Sequence, residues 1–442
     1  MNLFLKIPGG SALMFSAVCS VNAAVLPPLE QQQVARGEYL AHVADCVACH
    51  TAVNGRPFAG GLPINSPIGQ IYSTNITPNE TSGIGAWTYD DFALLLRRGQ
   101  TRAGYTVYPA MPYPSYARIN DADMHALFAY FQHGVQAVDQ PNHENAIPWP
   151  LSIRWPLAVW RNMFAPAPAP YAHTGSSGPS VARGAYLVEG LGHCGSCHTT
   201  RGVAMQEQAL TSDDNLIYVS GGAEIDGWIA PSLRNENGGG LGEWSEVEIE
   251  EFLRTGRNHR SASFGPMNDV IAQSTQFMTD QDRSSIAAYL KSLPARRTDA
   301  KPYVYDDHVA VELHAGRVTG AGAQIYLDRC AACHKSNGQG NGKAFPPLAG
   351  NAVLQTSDTT SAIHIVLSGS AMPATRTAPS ALTMAPYAHV LNDQQIADVV
   401  SFIQTSWGNT GGVASASQVA KLRKTAVPVV AKTFSFGEPW AK

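Results

Sequence analysis

The hydrophobic pattern of the chain repeats three times, and each repeat closes with a predicted amphipathic helix. The helices begin at Asn120, Thr279 and Asn392, each a good N-cap residue with an acid or an amide three positions later, as in a capping box. This spacing predicts helices with one face on a core. The apolar residues of that face, with an aromatic residue just before the last of each set, are Leu127, Phe128, Tyr130 and Phe131; Ile286, Ala287, Tyr289 and Leu290; and Val399, Val400, Phe402 and Ile403.

A second predicted helix opens each repeat and contains a glycine. The stretches are Arg36–Leu40, Arg183–Leu187 and Gly322–Tyr326, and the first two read Arg-Gly-x-Tyr-Leu. A glycine on a helix surface lets another helix approach closely, because no Cβ separates the two backbones. We therefore expect each opening helix to pack closely against another helix at this glycine.

The same five-residue motif, Cys-x-x-Cys-His, follows each opening helix. It is typical of c-type haem attachment, in which two thiols form thioether bonds with the porphyrin and the histidine binds the iron. Cysteines three positions apart lie almost one helical turn apart, so both reach the edge of one flat macrocycle. We expect three covalently bound haem c groups, attached to Cys46 and Cys49, Cys194 and Cys197, and Cys330 and Cys333, with His50, His198 and His334 on the irons.

Paired cysteines also occur in tetrahedral zinc sites and in thioredoxin-like redox pairs. Either site would leave the following residue free to vary, yet it is histidine in all three copies. A zinc site also needs four Cys or His ligands brought together, which three widely separated copies supply poorly. The motif therefore favours haem over both alternatives.

A glycine- and proline-rich stretch separates each motif from its closing helix, and a methionine there is the candidate second ligand of the iron. We predict Met111, Met267 and Met384 as these ligands. Met278 competes with Met267 but stands directly before a closing helix, and Met372 is a stronger competitor of Met384. A thioether opposite histidine favours reduced iron and fills the position that a reactive haem leaves open. The recurrence argues against the alternative that these methionines only pack against the porphyrin.

Composition and charge narrow the class of protein. The chain has 442 residues, 44% of them apolar, which suits several globular units rather than a disordered chain. A formal net charge of −4 gives no basic footprint for nucleic acid. Six of the seven cysteines belong to the haem motifs, and the seventh, Cys19, lies in a segment that we expect to be removed. We therefore expect no structural disulfide.

The first residues resemble a secretory signal peptide. Lys6 precedes an apolar run at residues 11–18, and small residues end at about position 23, where cleavage is expected. The run is shorter than the roughly 20 apolar residues of a spanning helix, which favours cleavage over a retained anchor. After residues 1–23 we expect three domains with separate cores at 24–164, 180–292 and 316–410, linkers at 165–179 and 293–315, and a C-terminal tail at 411–442.

The mature chain resembles the tri-haem cytochrome c subunits of membrane-bound dehydrogenases of acetic-acid and related bacteria, which serve gluconate, fructose, sorbitol and alcohol dehydrogenases. Besides the haem motifs, the resemblance rests on six stretches: Ser73–Pro78, Gly83–Trp87, Tyr108–Tyr113, Gly227–Leu233, Gly240–Ser245 and Ser406–Asn409. It implies a mainly α fold of three tandem class I cytochrome c domains. It also implies a catalytic partner subunit with a flavin or pyrroloquinoline quinone, and electron delivery to ubiquinone in the cytoplasmic membrane.

Attachment to the membrane is expected to be peripheral, on the periplasmic side, since the tail has no apolar run long enough to span a bilayer. A candidate surface for the bilayer interface or for a partner subunit is Ile147–Phe164, where three tryptophans are interleaved with Arg154 and Arg161. The alternative is that this segment wraps the first haem domain. Two other functions stay open: a haem enzyme such as a peroxidase with one open iron, and a free periplasmic electron shuttle. We expect no catalysis on the substrate by this chain alone.

Overall fold

The computed structural model describes residues 26–169, Tyr171 and residues 178–429. The predicted signal peptide with Cys19, part of the first linker and the end of the tail lie outside these ranges. Within them the structure is mainly α, as expected, and the strands form three short two-stranded antiparallel sheets. None of the helices in these ranges combines the length and the apolar composition needed to cross a bilayer.

The first repeat is built from an opening and a closing helix with the haem motif at the end of the former. Its closing helix ends in a π-helical turn, Tyr130–Gly134. In its β-hairpin Pro63 lies opposite Tyr72. The elements are α1 (Pro28–Val43), α2 (Cys46–Cys49), β1 (Pro63–Ser66), β2 (Gly69–Tyr72), α3 (Tyr89–Arg98), α4 (Tyr113–Tyr116), α5 (Asp121–Ala129) and α6 (Trp155–Phe164).

The second and third repeats follow the same plan with different insertions. The opening helix of the second repeat ends in a π-helical turn, Leu187–Leu191, and short 3₁₀ turns occupy Thr275–Phe277 and Ala352–Gln355. The second repeat contains α7 (Pro179–Tyr186), α8 (Gly195–His198), β3 (Glu224–Ile225), β4 (Trp228–Ile229), α9 (Glu246–Thr255), α10 (Met267–Gln273) and α11 (Asp280–Ser292). The third contains α12 (His308–His314), α13 (Ala321–Arg329), α14 (Ala331–His334), α15 (Thr360–Ser368), β5 (Ser370–Ala371), β6 (Thr383–Met384), α16 (Asp393–Thr405) and α17 (Ala416–Arg423).

The opening and closing helices of each repeat cross at the predicted glycine. A Cβ on Gly37 would lie 1.9 Å from the Ala126 carbonyl oxygen, and one on Gly184 would lie equally close to the Ser285 oxygen. In the third repeat a Cβ on Gly322 would come within 2.3 Å of the backbone of α16. Such contacts are impossible for any other residue without moving a helix apart, so the expectation from the sequence is confirmed.

The predicted N-caps are present, but their chemistry differs among the repeats. The side chains of Asn120, Thr279 and Asn392 each accept a hydrogen bond from the backbone N–H three residues on. At Asn392 the bond is returned by Gln395, which completes a capping box. The acids at the corresponding positions of the first two repeats do not return a bond to the backbone N–H of the cap residue, and they bind arginine and tyrosine side chains.

The first two repeats share one hydrophobic core. A single cluster of buried side chains runs from Leu40 on α1 to Leu290 on α11, through Leu127 on α5 and Leu187 beyond α7. The expectation of a separate core for each repeat is therefore wrong for these two. The cause is that the opening helix of each packs close to the segment before the closing helix of the other.

The third repeat has its own core around α16. Val400 and Ile396 contribute to one cluster, and Trp407 and Tyr326 to a second. The predicted tail, residues 411–442, contains α17, whose Val419 and Leu422 are buried in the first of these clusters. The first part of the tail is thus packed on α16 and completes the core of this repeat.

The third repeat docks on the second through aromatic and polar contacts. His364 on α15 stacks on Trp228 with ring centroids 4.0 Å apart, and its Nδ1 donates to the Gly227 carbonyl oxygen at 2.8 Å. A second contact is the guanidinium of Arg376, which lies 4.6 Å above the ring of Phe277. All three repeats therefore form one continuous assembly in the described residues.

The segment Ile147–Phe164 is partly packed and partly exposed. Arg154 stacks on Tyr108 at 4.3 Å, Arg161 donates to Gln100 and Thr106, and Trp160 Nε1 donates to the Ala204 oxygen. The contacts of Arg154 and Arg161 fit the alternative in which the segment wraps the first repeat, and the Trp160 bond ties the segment to the second repeat. The segment also exposes six apolar side chains to solvent, and these form its exposed apolar surface: Trp149, Leu151, Ile153, Trp155, Val159 and Met163.

Candidate haem sites

Each haem motif forms a short helical turn at the end of an opening helix. In the first repeat the turn is α2, in the second α8 and in the third α14. All six thiols of the motifs are free, and the second cysteine of each pair is exposed. Two thiols about one turn apart on a partly exposed helical turn have the placement that a double thioether attachment requires.

The histidine of each motif is held by a backbone carbonyl oxygen. His50 Nδ1 donates to Thr74 O at 2.7 Å, His198 Nδ1 to Pro231 O at 2.8 Å, and His334 Nδ1 to Pro346 O at 3.0 Å. Because Nδ1 carries the hydrogen in this arrangement, Nε2 presents its lone pair to a metal. The sequence predicted the histidines but gave no sign of these carbonyl partners, two of which are prolines.

A second backbone bond fixes the loop that carries each carbonyl. The N–H groups of Ile76, Leu233 and Leu348, two residues after the carbonyls, donate to the oxygens of Phe58, Val219 and Gly338. These three acceptors all have positive φ, at 61°, 48° and 67°. This left-handed backbone favours glycine, which only the third copy has at this position.

Burial favours the neutral form of the three histidines, which is the form that binds a metal. It lowers the pKa of His50, His198 and His334, and the hydrogen bonds to the carbonyls oppose the shift only in part. The imidazoles are therefore neutral near pH 7, as a ligand of iron must be. No group of three or more His, Cys, Asp or Glu side chains that would suit a lone metal ion occurs in the described ranges. Two free thiols and one oriented imidazole per site fit haem c.

The predicted methionine ligands lie in different local structures. Met111 precedes α4 and packs against the shared core, whereas Met267 is the first residue of α10. Met384 lies in β6 and packs against the core of the third repeat. Three residues after Met384, Tyr387 donates to Arg329 O, directly before the third haem motif, at 2.9 Å.

The two competing methionines are both buried. Met278 belongs to the shared core of the first two repeats. The sulfur of Met372 accepts a hydrogen bond from Arg257 Nη1 at 3.6 Å, so this side chain takes part in the contact between the second and third repeats. That contact favours Met384 as the ligand of the third haem, which remains a prediction.

The first two haem motifs lie against each other. His193, which directly precedes the second motif, binds the Ala44 oxygen through Nε2 at 3.3 Å, two residues before the first motif. Helix α10 of the second repeat also packs against α2. Sequence reasoning missed this proximity. The one available signal was the Arg-Gly-x-Tyr-Leu stretch, which the first two repeats share and the third does not.

Comparison with known proteins agrees with this geometry. The family model for cytochrome c matches residues 34–134, 181–294 and 320–407. The chain is 50% identical over 421 residues to the cytochrome c subunit of the alcohol dehydrogenase (quinone) of Gluconacetobacter polyoxogenes, covering 95% of this chain and 90% of that relative. It is 52% identical over 396 residues to the gluconate 2-dehydrogenase cytochrome c subunit of Pantoea cypripedii, covering 88% and 89%. The fructose dehydrogenase cytochrome subunit of Gluconobacter japonicus is 36% identical over 426 residues, with coverage of 88% and 82%.

Proposed function

Because the chain belongs to the cytochrome c family, and within it to the cytochrome c subunits of bacterial dehydrogenases, we propose that it carries electrons from a catalytic dehydrogenase subunit to ubiquinone at the periplasmic side of the cytoplasmic membrane. The observation that carries this proposal is the threefold repetition of one site, with two thiols and a histidine oriented by a backbone carbonyl. A bound haem supplies one-electron chemistry at its iron.

Residues of the chain orient the histidine ligands and would supply the second ligand of each iron. The carbonyl partners of the histidines hold each ring in one orientation and raise its basicity as a ligand. Met111, Met267 and Met384 would complete each site with a thioether, which favours the reduced state and leaves no open position for substrate. Their role as ligands is part of the proposal.

Attachment to the membrane would use the exposed apolar surface of the segment Ile147–Phe164. Trp149 is 81% exposed and Trp155 is 71% exposed. Indole rings are favoured at the interface between lipid headgroups and acyl chains, because one part of the ring is apolar and the N–H is polar. A bilayer surface is therefore the expected neighbour of these side chains, and it would bring the chain close to quinone.

The test is reconstitution of the holo chain with its dehydrogenase. The dehydrogenase and its substrate should reduce all three haems, and a soluble ubiquinone analogue should reoxidise them at a rate that sustains turnover. Reduction without reoxidation by the quinone would point to a shuttle that delivers electrons elsewhere. Binding of carbon monoxide to the reduced chain would reveal an open iron and contradict the proposed ligation.

A further inference from the structure

Two tyrosines cross the boundary between the first two repeats in opposite directions. The hydroxyl of Tyr39, on α1, donates to Asp282 Oδ2 of the second repeat at 2.5 Å. The hydroxyl of Tyr186, on α7, donates to Asp123 Oδ2 of the first repeat at 2.7 Å. Both hydroxyls also accept a hydrogen bond from the N-cap residue that precedes the aspartate. Each tyrosine therefore holds the first turn of the closing helix of the other repeat.

Each of these aspartates also binds an arginine of its own repeat. Arg183 donates to Asp282 through Nε at 2.8 Å and Nη2 at 2.7 Å, and Arg36 donates to Asp123 through Nε at 2.8 Å. Asp123 is fully buried and Asp282 nearly so. A buried carboxylate that loses a hydrogen-bond partner is costly, and the tyrosine is the partner that is present only while the repeats are docked.

The third repeat has none of these groups. Aligned on the glycine of the opening helix and on the cap of the closing helix, it carries Ala321, Gln324 and Gln395 where the first two repeats have Arg, Tyr and Asp. Gln395 accordingly completes the capping box with Asn392. The crossed tyrosines thus occur only between the first two repeats, which are related by an approximate twofold axis.

The pairing is not fully symmetric, so the first and second repeats are not interchangeable in it. At one position Arg118 of the first repeat donates to the buried Glu189 of the second at 3.2 Å. At the equivalent position across the twofold, His42 stacks on Phe277 with centroids 4.3 Å apart. An ion pair on one side and a ring stack on the other cannot both be formed by two copies of the same repeat. The contacts therefore favour pairing of the first repeat with the second over pairing of two identical repeats.

We propose that Tyr39 and Tyr186 are positioning residues, which lock the first two repeats into a two-haem unit and keep the two haem sites in fixed mutual placement. The bond of His193 to Ala44 ties together the chain segments that lead into the first two motifs, so that a shift of one repeat on the other would move one site relative to its neighbour. The third repeat joins this unit through the contacts of Trp228 and Arg257 instead. The inference rests on the proposed electron-transfer function only in assigning a purpose to the fixed placement.

The test uses the isolated holo chain, without dehydrogenase or quinone, and the variants Tyr39→Phe, Tyr186→Phe and their combination. Tyr326→Phe is the matched control, since this buried tyrosine on α13 donates to Lys335 O within the third repeat at 2.6 Å. Native-state amide exchange should show a crossed effect. Tyr39→Phe should raise exchange in the first turn of α11, and Tyr186→Phe in the first turn of α5, each on the order of tenfold, which corresponds to about 1.4 kcal/mol.

A redox readout separates positioning from simple stabilisation. In the native chain the potential of the first haem should depend on the oxidation state of the second, because two charges held close together interact. This dependence should shrink in the double variant and persist in Tyr326→Phe. Arg118→Gln, which removes a different contact across the same boundary, should shrink it as well and provides a second variant should the first fold poorly.

Unchanged exchange in the closing helix of the opposite repeat, or an unchanged dependence between the two haems in the double variant, would overturn the inference. Failure of the dehydrogenase to reduce the native chain would instead contradict the proposed function. The two failures are distinguishable because the exchange and redox measurements require neither enzyme nor quinone.

Discussion

At the scale of single residues, the haem sites depend on backbone carbonyls as much as on the motif. His50, His198 and His334 each give their Nδ1 hydrogen to a carbonyl oxygen of a returning loop. The motif alone would leave the imidazole free to rotate and to choose its tautomer. The hydrogen bond to the loop restricts both freedoms, which would lower the cost of ordering the ligand on an iron.

The assignment of the third methionine ligand gives a prediction at this scale. Met384→Ala should abolish the methionine-to-iron charge-transfer band of the third haem and lower its potential, because water or a stray histidine stabilises reduced iron less well than a thioether does. Met372→Ala should leave that band in place, because its sulfur is bonded to Arg257. Near-infrared absorbance and a potentiometric titration of each holo variant provide the measurement.

The opposite outcome, a band lost in Met372→Ala and kept in Met384→Ala, would make Met372 the ligand. Met278→Ala serves as a control for the packing defect alone. It removes a methionine that is buried in the shared core, and it should lower thermal stability without any change in the charge-transfer bands.

At the scale of elements, the crossing of the opening and closing helices sets the framework of each repeat. Gly184→Ala should destabilise the second repeat by about 1–3 kcal/mol or more, since its Cβ would meet a backbone oxygen of α11 that cannot turn aside. Gly178→Ala is the matched control, because a Cβ there has open space around it. Thermal unfolding of the two holo variants, followed by haem absorbance, measures the difference. Equal midpoints would show that the helices can separate at little cost.

The exposed side of the segment Ile147–Phe164 gives a second prediction for an element. Trp149→Ser and Trp155→Ser should each weaken binding to vesicles of anionic phospholipid by about 2 kcal/mol, from roughly 25 cal/mol per Å² of apolar surface placed in the interface. Val247→Ser, at a residue on α9 that is 75% exposed, should bind like the native chain. Vesicle co-sedimentation measures both. Native binding by the double tryptophan variant would place the membrane surface elsewhere on the chain.

At the scale of the whole molecule, the first two repeats act as one body because polar and apolar contacts coincide at their boundary. A shared core excludes water around carboxylates that the crossed tyrosines satisfy. Buried polar groups of this kind add little net stability but penalise every arrangement that leaves them unpaired. We therefore expect the first two repeats to dock on each other in a single arrangement.

Acid should loosen this unit. Burial raises the pKa of Asp282, but the hydrogen bonds from Arg183 and Tyr39 outweigh it, with Arg36 adding a smaller effect, so that the pKa lies below its ordinary value of 3.8. A carboxyl group with a lowered pKa in the folded state contributes stability above its ordinary pKa, and this contribution is lost as the pH falls through the lowered value. In the native chain, the urea concentration at the midpoint of unfolding should therefore decrease as the pH is lowered below about 4.

The same titration on Asp282→Asn isolates the cause. An amide has no proton to gain in this range, so the variant should be less stable at pH 7 and should lose less stability on acidification. Asp90→Asn, at an exposed residue of α3, should follow the native curve. A steep acid loss in Asp282→Asn equal to that of the native chain would assign the pH dependence to other carboxyl groups.

Much of the site was readable from the sequence because its signals are local. The haem motif places three side chains within five residues, and a helical turn is sufficient to bring them together. The cap residues and the apolar spacing of the closing helices are also local, which is why the pattern at Asn120, Thr279 and Asn392 predicted the helices that the structure contains. The glycine of each opening helix predicted close packing for the same reason.

What only the tertiary structure decided are the contacts between residues far apart in the chain. The pattern at Asp123 and Asp282 predicts a returned capping bond, yet both carboxylates bind side chains brought from elsewhere, because an arginine and a tyrosine offer a buried acid stronger hydrogen bonds than its own helix does. The carbonyl partners of the histidines and the joint core of the first two repeats arise in the same way. Local spacing determines which helices form and where haem attaches, whereas the mutual placement of the sites depends on which buried polar groups find partners across the fold.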